Sequence, residues 1–95
     1  MQKVFIVNFN SLYEILDEIK ENLSYKIVKF ENEVDLINNS DLDIINSLII
    51  LKNNNKLLLD NKIMKKNILN LNDLPLVLNK LLQLVNIRLM KLKFN

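Results

Sequence analysis

The chain has 95 residues, 49% of them apolar and 25% charged, with a formal net charge of +2; this length suits one domain with one modest core, and so small a charge is no argument for nucleic-acid binding by itself. It contains no His, no Cys and no Gly, which excludes an imidazole base, His or Cys metal ligands, thiol nucleophiles and disulfides, together with the phosphate-cradling loops whose backbone only Gly provides. The excess of Asn, Lys, Ile and Leu, with no Ala or Thr, reads as the codon bias of an AT-rich genome and carries no function.

Residues 1–8 are too short and too quickly polar for a signal peptide. No stretch reaches the ~18 apolar residues of a membrane span. The expectation is a cytoplasmic protein without membrane contact. Val4-Phe5-Ile6-Val7 is a nearly continuous apolar run, the pattern of a strand covered on both faces, as in parallel sheets. Ser11 with Glu14 fits a capping box, and Leu12, Ile15, Leu16, Ile19 and Leu23 follow at helical spacing, opposite a charged face. Tyr25 to Phe30 reads as a second strand, completing a strand–helix–strand unit. Val34, Leu36 and Ile37 suggest a short helix, and Ser47 to Leu51 a third strand.

Asn53-Asn54-Asn55 is a turn or loop, since Asn tolerates left-handed backbone where Gly is lacking. Leu57-Leu58-Leu59 follows the third strand too closely for a parallel crossover, so as a strand it would pair antiparallel, or else it is a short irregular piece. Asp60-Asn61 is a further turn candidate, and Ile68 to Leu71 a last short strand. Asn72 or Asp73 caps a closing helix, with Pro75 in its first turn, running from about Leu74 to Leu92. Leu78, Leu81, Leu82, Val85, Leu89 and Leu92 form one broad sheet-facing stripe. Leu76, Ile87, Met90 and Phe94 fall on another side of the same helix, among polar residues.

This order of elements resembles the receiver domain of two-component response regulators, over nearly the whole chain. Val4 to Val7, Tyr25 to Phe30 and Leu48 to Leu51 are similar to its first three strands. Leu74-Pro75 with the long helix is similar to the family's Lys-Pro and final helix, in the winged-helix transcription-factor subclass. The resemblance implies a small three-layer α/β fold with a mostly parallel, truncated flavodoxin-like sheet and a long C-terminal helix. It also implies what is missing. Where a working receiver holds Mg²⁺ with acidic residues, this chain has Asn8 and Phe9, and an amide with a phenyl ring does not supply the anionic oxygens Mg²⁺ prefers. The place of the phosphorylated Asp falls on Lys52, and that of the Lys before the Pro on Leu74. About thirty residues, the size of one strand–helix–strand unit, are lacking between Lys52 and Pro75.

Other candidates weigh less. Asp41 and Asp43 lack a third ligand and read as a solvated loop. Glu14, Asp17, Glu18 and Glu21 read as the wet face of a helix. The basic residues of the second half lack stacking aromatics and further Arg, which favours solubility over nucleic-acid docking. Lys52 reads as a surface Lys unless it serves as a built-in cation at the old phosphorylation place. The expectation is therefore a non-catalytic regulatory domain that needs no cofactor and no metal and forms a homodimer through Leu76, Ile87, Met90 and Phe94. DNA would be contacted only through a domain outside this chain. The alternative is a stand-alone protein-binding module using the same apolar stripe. The helical pattern runs to the last residues without a stop signal, so residues 1–95 read as a single domain and the N-terminal part of a longer protein.

Overall fold

A computed structural model describes residues 2–39, 46–52, 56–71 and 77–93. Its elements run β1 (Lys3–Val7), α1 (Asn10–Glu18), β2 (Lys26–Phe30), α2 (Glu33–Ile37), β3 (Leu48–Leu51), α3 (Lys56–Asp60), β4 (Ile68–Asn70) and α4 (Leu78–Lys93). Four parallel strands form one sheet in the order β2-β1-β3-β4. Phe5 is in register with Val28 on one side and Ile49 on the other, and Ile50 with Leu69. Each strand-to-strand connection is long enough for a crossover, which parallel neighbours require. The order matches the flavodoxin-like succession 2-1-3-4-5 up to its fourth strand.

The two central strands carry the two purest apolar runs. Val4 to Val7 and Leu48 to Leu51 are buried throughout, as strands covered on both faces must be. Side chains alternate between two cores. Val4, Ile6, Leu48, Ile50 and Leu69 pack with Leu12 and Leu16 of α1 and with Leu81, Val85, Leu89 and Leu92 of α4. Phe5, Val7, Ile49, Leu51 and Ile68 pack with Leu36 of α2 and Leu58 of α3. The result is three layers, α/β/α, with a radius of gyration of 12.4 Å, matching the ~12 Å of a compact domain of this length. Gln2 Nε2 donates to the Leu89 carbonyl at 3.0 Å, tying the start of the chain to α4.

Two local expectations are corrected, and the fold class holds. Leu57-Leu58-Leu59 is neither an antiparallel strand nor irregular: it lies inside α3, part of the crossover that lets β4 join β3 in parallel. The Ser11/Glu14 capping box does not form. α1 starts two residues earlier, at Asn10, with Phe9 rather than Ser11 at the N-cap and no side-chain cap bond; the buried Phe9 ring fixes that end instead. The sheet is wholly parallel among the described residues. The expected caps Asn72 and Asp73, Pro75, the Asn53–Asn55 turn and the Asp41/Asp43 pair lie outside the described residues. By contrast α2 is capped conventionally, the Asp35 N–H donating to Asn32 Oδ1 at 2.9 Å.

Candidate functional site

In an open α/β sheet, ligands bind beyond the carboxyl ends of the strands, where the strand order reverses. Here that point lies between β1 and β3, and the residues leaving those strands are Asn8 and Lys52. Asn8 is exposed and has left-handed backbone, φ 50°, while its N–H donates to the Phe30 carbonyl at 3.0 Å. This bend sends Phe9 back under α1, where the ring is only 4% exposed. Lys52 is exposed, and its Nζ stands 5.9 Å from the Phe9 ring centroid, within reach of a cation–π attraction of about 0.5–1 kcal/mol at an exposed site. The switch point thus presents an amide, a phenyl ring and an ammonium.

Among the described residues, no group of three or more His, Cys, Asp or Glu is placed to hold a metal ion, and no helix is long and apolar enough to cross a membrane. Asn8 and Lys52, singled out from the sequence, are thus brought to one end of the sheet. Leu74 lies outside the described residues.

The second candidate is the outer face of α4. Leu81, Val85, Leu89 and Leu92 face the sheet and are buried. Ile87 and Met90, one turn apart, are 51% and 59% exposed. Val77 and Leu78 at the start of the helix are exposed too. Of the four predicted interface residues, Ile87 and Met90 sit together on this face, while Leu76 and Phe94 lie outside the described residues. Leu78 was expected on the sheet-facing stripe and is instead partly exposed, at the first residue of α4.

Sequence reasoning missed three residues. Phe9 was read only as a lost metal ligand, not as the buried platform beneath Lys52. Arg88, counted among the surface cations, donates from Nη2 to the Ile68 carbonyl at 2.5 Å, so the chain's single Arg is engaged with the backbone of β4. Tyr25, read only as the start of a strand, is buried, and its hydroxyl meets no hydrogen-bond partner among the described residues. A lone Tyr before an apolar run carries no signal of that. No family model, curated protein or solved structure matches the chain.

Proposed function

We propose that this chain is a non-catalytic regulatory domain, similar to a response-regulator receiver without its phosphorylation site, that acts by docking and pairs with a second copy through α4. DNA contact would belong to a domain outside this chain. The observation that carries this reading is Lys52 at the carboxyl end of β3, held over the Phe9 ring. An ammonium cannot become an acyl phosphate, and by the resemblance Lys52 stands in the place of the phosphorylated Asp itself. A fixed cation there makes that end of the sheet insensitive to a phosphoryl donor. The flavodoxin-like order and the closing helix support the same reading.

Two measurements test it. Incubation with acetyl phosphate and Mg²⁺ should leave the intact mass unchanged; a gain of one phosphate would show a phosphoacceptor and end the proposal. Solution mass across a range of concentrations should show a dimer that Ile87→Asp/Met90→Asp abolishes. A monomer for both chains would remove self-pairing. The exposed Ile87 and Met90 would then favour a second reading, a stand-alone module whose apolar stripe caps an unrelated protein.

A further inference from the structure

The chain's small net charge of +2 hides a separation of charge. α1 carries Glu14, Asp17 and Glu18 and no base. α4 carries Lys80, Arg88, Lys91 and Lys93 and no acid. Both helices cover the same face of the sheet, where Leu12 and Leu16 of α1 share one core with Leu81, Val85, Leu89 and Leu92 of α4. α1 lies toward β2, whose Lys29 Nζ stands 5.7 Å from the Tyr13 ring centroid. α4 lies toward β4, whose Ile68 carbonyl accepts from Arg88. Helices joined to parallel strands run back against them, so the two lie side by side and point the same way. The outer layer is therefore one surface with an acidic half and a basic half.

Helical spacing sets these charges around the exposed apolar residues. On α4, Lys91 is one turn beyond Ile87 and Lys80 is two turns before it, and Lys80, Ile87, Met90 and Lys91 are all exposed. On α1, Glu18 is one turn beyond Ile15, and Glu14 directly precedes it. Ile15 is 40% exposed, and both Glu residues are exposed as well. Glu14, Glu18, Lys80 and Lys91 have no ion pair among the described residues, where the bridges join Asp17 with Lys20 and Lys29 with Glu31.

Two arrangements bring a second copy onto α4. Placing α4 against α4 sets Lys80 and Lys91 against the same residues of the other copy, with no acid on either helix to separate them, and like charges so placed repel. Placing α4 against α1 sets them against Glu14 and Glu18 instead. Because the two helices are parallel neighbours, a two-fold axis along the groove between them lays α4 of each copy on α1 of the other. The contact is then made twice, and the assembly closes as a dimer. We propose, building on the pairing through α4 proposed above, that the surface α4 meets is α1 of the second copy. Ile87 and Met90 of each copy cover Ile15 of the other, and Lys80 and Lys91 face Glu14 and Glu18 at the rim.

The test measures the solution mass of the full chain over a range of concentrations, for the wild type and two charge-reversed variants. Glu14→Lys/Glu18→Lys alters only α1, and Lys80→Glu/Lys91→Glu only the outer face of α4; all four positions are exposed. Each variant alone should dimerise about tenfold more weakly, the loss of several exposed ion pairs together with the new repulsion. An equimolar mixture of the two should regain the dimer, which also shows that both fold. The wild-type dimer should weaken as salt rises from about 0.1 M to about 1 M. A Glu14→Lys/Glu18→Lys chain that dimerises as well as the wild type, a mixture that does not recover, or a dimer that tightens with salt would overturn the α1 contact. In the first and last of these cases pairing through α4 stands, with α4 meeting α4. A wild-type chain that stays monomeric would overturn the pairing itself, and the α1 contact with it.

Discussion

Lys62 stands where most proteins place glycine. It ends α3 with φ 67°, its N–H donating to the Leu59 carbonyl at 3.0 Å while the next N–H, of Ile63, reaches back to the Leu58 carbonyl at 3.1 Å. Those two bonds are a Schellman ending, with its apolar contact supplied by Ile63 and Leu58 in the same core. A β-carbon in left-handed backbone costs roughly 1–2 kcal/mol, and a chain without Gly bears that cost here. Lys62→Gly should therefore raise stability by about 1 kcal/mol, or roughly 4–8 °C in Tm, in thermal or denaturant unfolding. Asn8, also left-handed, should gain less from the same change, because Asn tolerates that region; an equal gain at both positions would refute the distinction. Tyr25 gives a pH signature. Desolvation raises its pKa above the usual 10.0, so the folded chain keeps the phenol proton to higher pH than the unfolded one. The linked stability is fully present below pH 10.0 and is lost as pH rises through the folded value. At neutral pH Tyr25→Phe should be more stable by about 1 kcal/mol, since it removes an unpaired buried hydroxyl, and that advantage should widen above pH 10.0. A constant difference across that range would contradict the burial argument.

Elements became legible where one physical demand dominated their composition. β1 and β3 must be apolar on both faces, so their runs announced them. α4 must hide one stripe, so Leu81, Val85, Leu89 and Leu92 could be picked out by period alone. α3 could not, because three consecutive Leu fit a buried strand as well as a helix, and only the geometry of the crossover to β4 decides between them. The capping box failed for a related reason: Phe9 finds more by burial than Ser11 would by a local bond. The sheet's edges differ in a way that no local pattern records. On β4 the Leu71 N–H donates inward to the Leu51 carbonyl, so alternation turns the Ile68 carbonyl outward, and there Arg88 covers it. No such cover of β2 is found among the described residues, and the strand carries Lys26 and Lys29, the charges that discourage edge-to-edge pairing. Arg88→Met should cost about 1.5 kcal/mol, the loss of a partly buried hydrogen bond from a charged donor. It should also speed amide exchange in β4 more than in β1. Unchanged unfolding and exchange would mean the bond contributes nothing.

At the scale of the whole molecule, the sheet order brings Asn8 and Lys52 together from positions far apart in sequence. The resemblance to a receiver singled out both, and residues leaving the carboxyl ends of neighbouring parallel strands collect at one end of the sheet. The cleft that Tyr13, Leu23 and Ile27 line beside β2 was not legible, since it depends on how α1 lies over an edge strand. The outer face of α4 was half legible: period separated Ile87 and Met90 from the core stripe, but whether a second copy covers them is a property of two chains. That property has a thermodynamic signature. A partner that binds only the folded state stabilises it by mass action, so the Tm of a dimer rises with concentration. Ile87 and Met90 are largely exposed in the single chain, so replacing both with Asp removes little of its own packing and should change its intrinsic stability by only about 0.5 kcal/mol. The wild-type chain should therefore melt at a temperature that climbs with concentration. The Ile87→Asp/Met90→Asp chain should melt at one that does not, and the two should converge as the chains are diluted. If the wild type is as insensitive to concentration as the variant, α4 does not join two copies. If the variant melts far below the wild type at every dilution, Ile87 and Met90 support the fold itself and the pairing surface must lie elsewhere.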